Sequence, residues 1–262
     1  RIAADKKRAE AESERIAAEC SRRADFAWRM HCKEGSRDQS EYLKRKQIEI
    51  HGGRFLPGGK FCIPVQDSSR RTYGLQVIYN EKRAFFKDDE ERDKSFWPKG
   101  RDKDFWPAGL AKKGHFFLIG GIPDRLLLIA EGFATAASLH QATKLPVAVA
   151  FDAGNLLPVA KNLRAKYKRA KILICADDDY RTEGNPGVTH ARNAAMAVEG
   201  EVVFPVFTDE RPTDTKGPTD FNDLHLLEGQ HVVAKQIEST ITALGWSATR
   251  AARGNAEQPD RK

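Results

Sequence analysis

Two apolar runs in this chain end in acid. Leu126-Leu127-Leu128-Ile129-Ala130 is followed at once by Glu131-Gly132, and Lys171-Ile172-Leu173-Ile174-Cys175-Ala176 by Asp177-Asp178-Asp179. Each run has the length and composition of a strand buried on both faces. An open α/β sheet places its chemistry where parallel strands end, so Glu131, Asp177 and Asp179 are expected at one edge. Alternate residues of an extended segment share a face, which points Asp177 and Asp179 the same way and turns Asp178 aside. Carboxylates gathered in this way repel unless a cation joins them, and an oxygen-only set suits Mg²⁺ or Mn²⁺. That combination points to phosphate chemistry on nucleic acid. The aspartate triplet alone reads equally as a solvated turn or a helix cap. Its occurrence with Glu-Gly, each ending an apolar strand with one βα unit between them, is the more specific signal.

The elements that must position these residues follow from composition and periodicity. At 262 residues the chain holds one large domain or a domain with a smaller partner. A formal charge of +7 with 31% charged residues favours polyanionic partners, although the excess is modest. No run approaches the roughly 20 apolar residues of a membrane span, and no secretory signal is present. The scattered cysteines Cys20, Cys32, Cys62 and Cys175 form no CxxC pair, so cytoplasmic thiols are expected, with Cys175 in the core. The first residue is Arg1, and the sequence reads as a fragment of a longer protein.

Residues 1–33, rich in Ala, Glu, Lys and Arg, predict a helix whose first half is solvated and whose apolar residues include Ile16, Phe26, Trp28 and Met30. A short helix over 37–47 follows. Residues 61–65, 73–79 and 83–87 predict an antiparallel meander. The charged stretch 88–114 predicts a long loop carrying a near-repeat, Phe96-Trp97-Pro98 and Phe105-Trp106-Pro107. Its aromatics could fold back on the body, stack on single-stranded bases, or form a protein-docking hairpin. From Phe116 onward strands (126–130, 147–151, 172–176, 201–206) alternate with helices (132–143, 155–168, 187–199), which predicts a mostly parallel sheet flanked by helices. Helices near 220–228 and 231–244 close the fold. The expected organisation is an N-terminal helical region (1–50), a β-meander subdomain (51–119), an α/β catalytic domain (120–229), a C-terminal helix (230–247) and a disordered tail (248–262).

The residues Glu131-Gly132, the strand-turn Ala150-Phe151-Asp152-Ala153-Gly154-Asn155-Leu156, and Asp177-x-Asp179 resemble the Toprim domain of bacterial-type primases, topoisomerases and some nucleases. Ile129 to Ser138 and Gly217 to Leu224 are most similar to Toprim primases of plasmids, phages and integrative elements. The meander with Lys82-Arg83-Ala84-Phe85-Phe86-Lys87 resembles the segment before Toprim in those primases. The resemblance covers roughly residues 40–245. It implies an α/β Toprim core that synthesises short RNA primers from NTPs on a single-stranded DNA template, with a replicative helicase as a further partner. Glu131 would act as general acid/base or metal-linked carboxylate, and Asp177 and Asp179 would hold one or two Mg²⁺ ions. The loop from Tyr180 to Gly187 is longer than the Arg-Ala-Gly turn typical of replicative primases. The family's zinc-binding module and helicase are not in this sequence.

Other residues carry two readings each. Asp220 and Asp223 either cap a helix with Asn222 or add a third carboxylate group to the metal site. Asp152 either contacts metal or nucleotide or belongs with Gly154 and Asn155 to a required turn. Gly132 lets the backbone turn sharply and approach a nucleotide, and Asn155 is a second candidate contact. Lys60, Arg71, Lys112 and Lys113 are basic residues of the meander and loop. Arg83 and Lys87 share a strand face, a pair suited to template or triphosphate. Arg181 and Arg192 could neutralise phosphate, and all these cations are otherwise solvated charges. His190 and His225 read as satisfied surface histidines. Two rivals stand beside the primase: a Toprim nuclease with water as nucleophile, and a silent DNA-binding or partner-docking module using residues 93–107.

Overall fold

The computed structural model describes residues 2–80, 102–209, 211 and 217–247. The N-terminal part contains α1 (Ile2–Met30), a 3₁₀ turn (Arg37–Gln39), α2 (Glu41–Lys46), and strands β1 (Arg54–Leu56), β2 (Lys60–Gln66), β3 (Thr72–Ile78) and β4 (Lys103–Trp106). These strands form an antiparallel sheet in the order β1-β2-β3-β4. The second part contains β5 (Phe117–Ile119), β6 (Leu126–Ala130), α3 (Phe133–Thr143), β7 (Val147–Val149), α4 (Leu156–Lys166) and β8 (Lys171–Cys175). It continues with α5 (Pro186–Ala197), β9 (Glu201–Val203), α6 (Phe221–Glu228) and α7 (Gln230–Ala243). Its sheet has the order β5-β7-β6-β8-β9. All neighbours are parallel except the edge pair β5 and β7.

The period of two explains why β6 and β8 carry no polar residue inside them. Leu126, Leu128 and Ala130 of β6, with Leu173 and Cys175 of β8, join Phe133, Ala136, Phe221, Leu224, Val233 and Ile237 in one core. Leu127, Ile129, Ile172 and Ile174 point to the other face, against Leu156, Val159, Leu163, Val188 and Ala191. Both faces of the sheet are therefore covered by helices, as the apolar runs require.

Three expectations change. The buried face of α1 is made by Cys20, Ser21, Ala24 and Ala27, whereas Ile16, Phe26 and Met30 are 37%, 59% and 55% exposed. Small side chains let this helix lie close on β3, where Ala24 and Ala27 meet Leu75 and Val77. The helix expected over 37–47 divides at Ser40, whose hydroxyl caps α2 by accepting from Leu43 N–H. The long loop ends earlier than expected, because Lys103–Trp106 pairs antiparallel with Leu75–Ile78. The second Phe-Trp-Pro copy thus folds back onto the body as a strand, with Phe105 edge-on to Phe151 at 5.8 Å. The first copy, the strand expected at 83–87 and the tail beyond 247 lie outside the described residues. No helix among the described residues is long and apolar enough to cross a membrane.

Leu128 is fully buried on the central strand of the parallel sheet. Leu128→Ala should destabilise the protein by about 2–5 kcal/mol in urea unfolding, the usual cost of a core leucine cavity.

Candidate active site at the ends of the parallel strands

Register decides which carboxylates meet. Ala130 pairs with Cys175 across β6 and β8, so Glu131 and Asp177 leave neighbouring strands within a residue of the same level. Ala130 also pairs with Val149 of β7, and three residues later that chain delivers Asp152. Asp178 N–H donates to Thr219 O at 2.8 Å, and this bond brings Asp220 to the same edge.

The electrostatics report the crowding. The Asp177 carboxyl is pushed well above the usual range, first by burial, then by Asp220, Glu131, Asp179 and Asp223. Burial, with Asp179, Asp152 and Asp220, raises Glu131 to about 7, against a hydrogen bond from the Ala153 backbone. Asp220 is raised by burial and by Asp223, and lowered by Lys46. Oδ1 of Asp177 is buried with no hydrogen-bond partner among the described residues. A buried acceptor in that state is costly unless something else satisfies it.

Each acid is held differently. Asp179 Oδ2 accepts from Gly187 N–H at 3.0 Å, at the first turn of α5, where the helix dipole favours negative charge. Gly187 is required there, since a Cβ would lie 2.2 Å from Asp177 O. Asp178 does turn aside. It pairs with Arg211 at 2.8 Å and accepts from Asn185 Nδ2 at 2.6 Å. Arg211 also lies 3.7 Å from the Tyr180 ring centroid, so the long loop is clamped by a cation the sequence did not single out. Asp220 takes the capping role among its two readings. Its Oδ1 accepts from Asn222 and Asp223 N–H at 2.7 and 2.9 Å, capping α6, while its charge acts on Asp177 and Glu131.

Several supporting residues are engaged in the fold itself, Asp152 in the turn that was one of its two readings. Asn155 is 3% exposed and its amide is saturated: Oδ1 accepts from Gly114 N–H at 2.7 Å, and Nδ2 donates to Ala150 O at 2.8 Å and His115 O at 3.0 Å. It pins the segment before β5 to the end of β7 and has no donor left for a nucleotide. Asp152 caps the turn at Asn155 and forms an ion pair with Lys112. Gly132 caps α3 at an ordinary φ of −101° instead of a sharp turn, and no side-chain hydrogen bond caps the helix end. His225 is buried, not on the surface, where Nδ1 meets Ser138 Oγ at 2.9 Å. Asn222 Nδ2 joins the same knot and reaches Lys46 O at 2.8 Å.

Two further cations act on the acids: Lys46, 3.6 Å from Asp223, and Lys103, which feels the charge of Asp220. Burial pulls the Lys103 ammonium down, but Tyr42, Asp102 and Asp220 outweigh it and hold the group charged. Both escaped the sequence reading, because their placement depends on how α2 and β4 pack. Lys60 begins β2, 5.9 Å from the Tyr79 ring centroid, and Arg181 donates to Tyr180 Oη at 3.1 Å. Arg83 and Lys87 lie outside the described residues.

Among the described residues no three acidic, histidine or cysteine side chains close into a ready ion cage. The chemistry of the set nevertheless fits a hard divalent cation. The donors are carboxylate oxygens, one is orphaned, and Mg²⁺ commonly takes one or two carboxylates and completes its shell with water and substrate phosphates.

A mostly parallel sheet, covered on both faces, with acids at the ends of adjacent strands defines a Toprim-type α/β domain, and residues 126–231 match the Toprim domain family. This chain therefore carries a Toprim domain. Over 181 residues it is 33% identical to an Escherichia coli protein named DNA primase TraC, a match covering 65% of this chain and 15% of that protein. A second E. coli protein of that name is 32% identical over 185 residues, covering 68% of this chain and 12% of its own length. The chain thus spans less than a sixth of the curated relatives it matches. Among solved structures, a DnaG primase catalytic domain bound to ssDNA overlaps 69% of this chain and 51% of its own, at 16% identity and a TM-score of 0.43.

The raised acids set a pH dependence. Glu131 moves from an ordinary 4.5 to about 7, so between those values the folded chain keeps a proton that the unfolded chain releases. Stability contributed by this group therefore falls as pH rises from about 4.5 to about 7, and Asp177 and Asp220 act in the same direction. Thermal unfolding in a chelating buffer should show a falling midpoint across that range, with a shallower fall in Glu131→Gln.

Proposed function

We propose that this chain is the catalytic core of a DNA primase, joining ribonucleoside triphosphates into short RNA primers on single-stranded DNA. The observation that carries the reading is the partnerless Oδ1 of Asp177 crowded by Glu131, Asp179 and Asp220, in a chain 33% identical over 181 residues to a protein named DNA primase TraC. Asp177, Asp179 and Asp220 would hold one or two Mg²⁺ (or Mn²⁺) ions. Such an ion, when bound, stabilises charge on the transferring phosphoryl group and lowers the pKa of an attacking hydroxyl.

The remaining roles belong to the chain itself. Glu131, with its pKa raised to about 7, is suited to take the proton of a primer 3′-hydroxyl, because a base works best when its pKa lies near the working pH. Gly132 adds no side-chain cap to the N-terminus of α3 beside Glu131, and the helix dipole there would favour triphosphate oxygens. Lys46 and Lys103 supply fixed positive charge at the rim of the acidic cluster, where triphosphate would otherwise be repelled. Lys60 and Arg181, with Arg83 and Lys87, would hold the template. The helical and meander regions before residue 120 would serve as the template-binding part, and residues 120–229 as the catalytic part. Because Phe105 and Trp106 lie in β4, a helicase or other docking partner would use the first Phe-Trp-Pro copy.

The test is primer synthesis on mixed-sequence single-stranded DNA with labelled NTPs and Mg²⁺. The protein should make short RNA, and Asp177→Ala/Asp179→Ala should make at least about 100-fold less, the usual cost of removing electrostatic support from a transition state. Release of nucleotides from the DNA without RNA synthesis would replace the primase by the nuclease. Added Mg²⁺ should also raise the thermal midpoint above pH 7, and this rise should vanish in the double variant.

A further inference from the structure

Asp177-Asp178-Asp179 offers two faces to a cation, and the middle acid is the one the carboxylate edge leaves over. The Asp178 side chain is 12% exposed, with Oδ2 lying 2.8 Å from Nη1 of Arg211. Its Oδ1 accepts from Asn185 Nδ2 at 2.6 Å. Its backbone is fixed as well: the N–H donates to Thr219 O at 2.8 Å, and the carbonyl accepts from Tyr180 N–H at 2.7 Å. Asn185 in turn caps α5, where its Oδ1 accepts from Val188 N–H at 3.4 Å. The same helix end holds Asp179 through Gly187 N–H. Asp178 and Asp179 are thus tied to one first turn, so a rotation of one disturbs the other.

Arg211 reaches Asp178 from the segment after β9, which is itself anchored. Gln236 of α7 takes both backbone groups of Val206, accepting at 3.1 Å and donating at 2.6 Å. Glu228 of α6 accepts from Thr208 N–H and Oγ1 at 2.8 and 2.7 Å. The guanidinium lies 3.7 Å from the Tyr180 ring centroid and 5.4 Å from that of Phe207. Its Nη1 is buried and makes no hydrogen bond among the described residues, so it meets Asp178 as a charge contact outside hydrogen-bond geometry. What this cation supplies to Asp178 is its charge. A carboxylate this buried, left without a counter-charge, is drawn to the nearest cation. In a loaded site that cation is the metal ion, and Asp178 could approach it only by twisting the segment that presents Asp177 and Asp179.

We infer that Arg211 is a positioning residue for the metal site: by holding Asp178 aside, it fixes Asp177 and Asp179 as the pair that faces the divalent cation. The inference rests on the metal assignment within the primase reading and not on priming itself. A plain counter-charge would act in the opposite sense, since removing a positive group beside a cation site tightens the ion.

The experiment is Mn²⁺ binding to the whole chain, read from the electron paramagnetic resonance signal of the free ion, without NTPs or DNA. Asp177→Ala/Asp179→Ala should abolish binding, which marks the site. Arg211→Met should weaken Mn²⁺ affinity about 10–100-fold, the usual cost of losing a group that orients metal ligands. Asp178→Asn/Arg211→Met should return to the parent affinity, because removing both partners leaves no buried charge unpaired. Circular dichroism melting shows which variants fold. If Arg211→Met does not, the double variant carries the test and must fold and bind as the parent does. Unchanged or tighter binding in a folded Arg211→Met, or weak binding in Asp178→Asn/Arg211→Met, would overturn the inference. A parent that binds no Mn²⁺, or an Asp177→Ala/Asp179→Ala variant that still binds it, would remove the metal assignment and this inference with it. Failure of priming with the Arg211 pattern intact would remove the primase reading and leave the positioning role standing.

Discussion

Repulsion among buried acids governs this molecule. The carboxyls of Asp177, Glu131 and Asp220 are all raised, first because burial removes water from them and then because they crowd other carboxylates. Such an arrangement opposes folding and persists only where the surrounding structure over-determines it. Here the determinants are two fully apolar strands in fixed register, a helix dipole with a Gly187 N–H on Asp179, and the capping bonds that hold Asp220. Stability is given up at this edge as the acids ionise.

The N-terminal sheet braces that arrangement. Phe61 and Ile63 of β2 share a core with Phe133 at the start of α3, so the two sheets meet through one apolar layer beneath the acids. Phe105 of β4 packs on Phe151, whose φ of 74° is unusual for a residue with a large side chain. That backbone turn sends Asp152 toward Lys112 and Glu131 instead of continuing the strand. The saturated amide of Asn155 and the Ser138–His225–Asn222 knot fix the same region from two other sides. Buried polar groups of this kind specify one arrangement, because any slip leaves a donor or acceptor unsatisfied.

Positive charge is arranged in two tiers. Arg211 and Lys112 are committed to Asp178 and Asp152 and so stabilise the loops that carry the acids. Lys46 and Lys103 stand beside Asp223 and Asp220 and moderate the field without closing the site. The net charge of +7 is therefore less informative than its placement.

The sequence by itself determined the α/β class, the two strands that end in acid, and the pairing of Asp177 with Asp179 on one side of an extended segment. Those follow from local rules: apolar runs of strand length, the period of two, and the chain's alternation of strands and helices. Tertiary structure decided which other residues join them. Asp220 is 43 residues from Asp177 in sequence and arrives through one backbone bond between Asp178 and Thr219. Lys103, Arg211 and the buried His225 look like surface residues in the sequence, because their surroundings are built by segments far away. The small-residue face of α1 was likewise hidden, since hydrophobicity marks Phe26 and Met30 while close packing on β3 selects Ala24 and Ala27. Local patterns report what a segment can bury, and only the packed fold decides which charges it must keep company with.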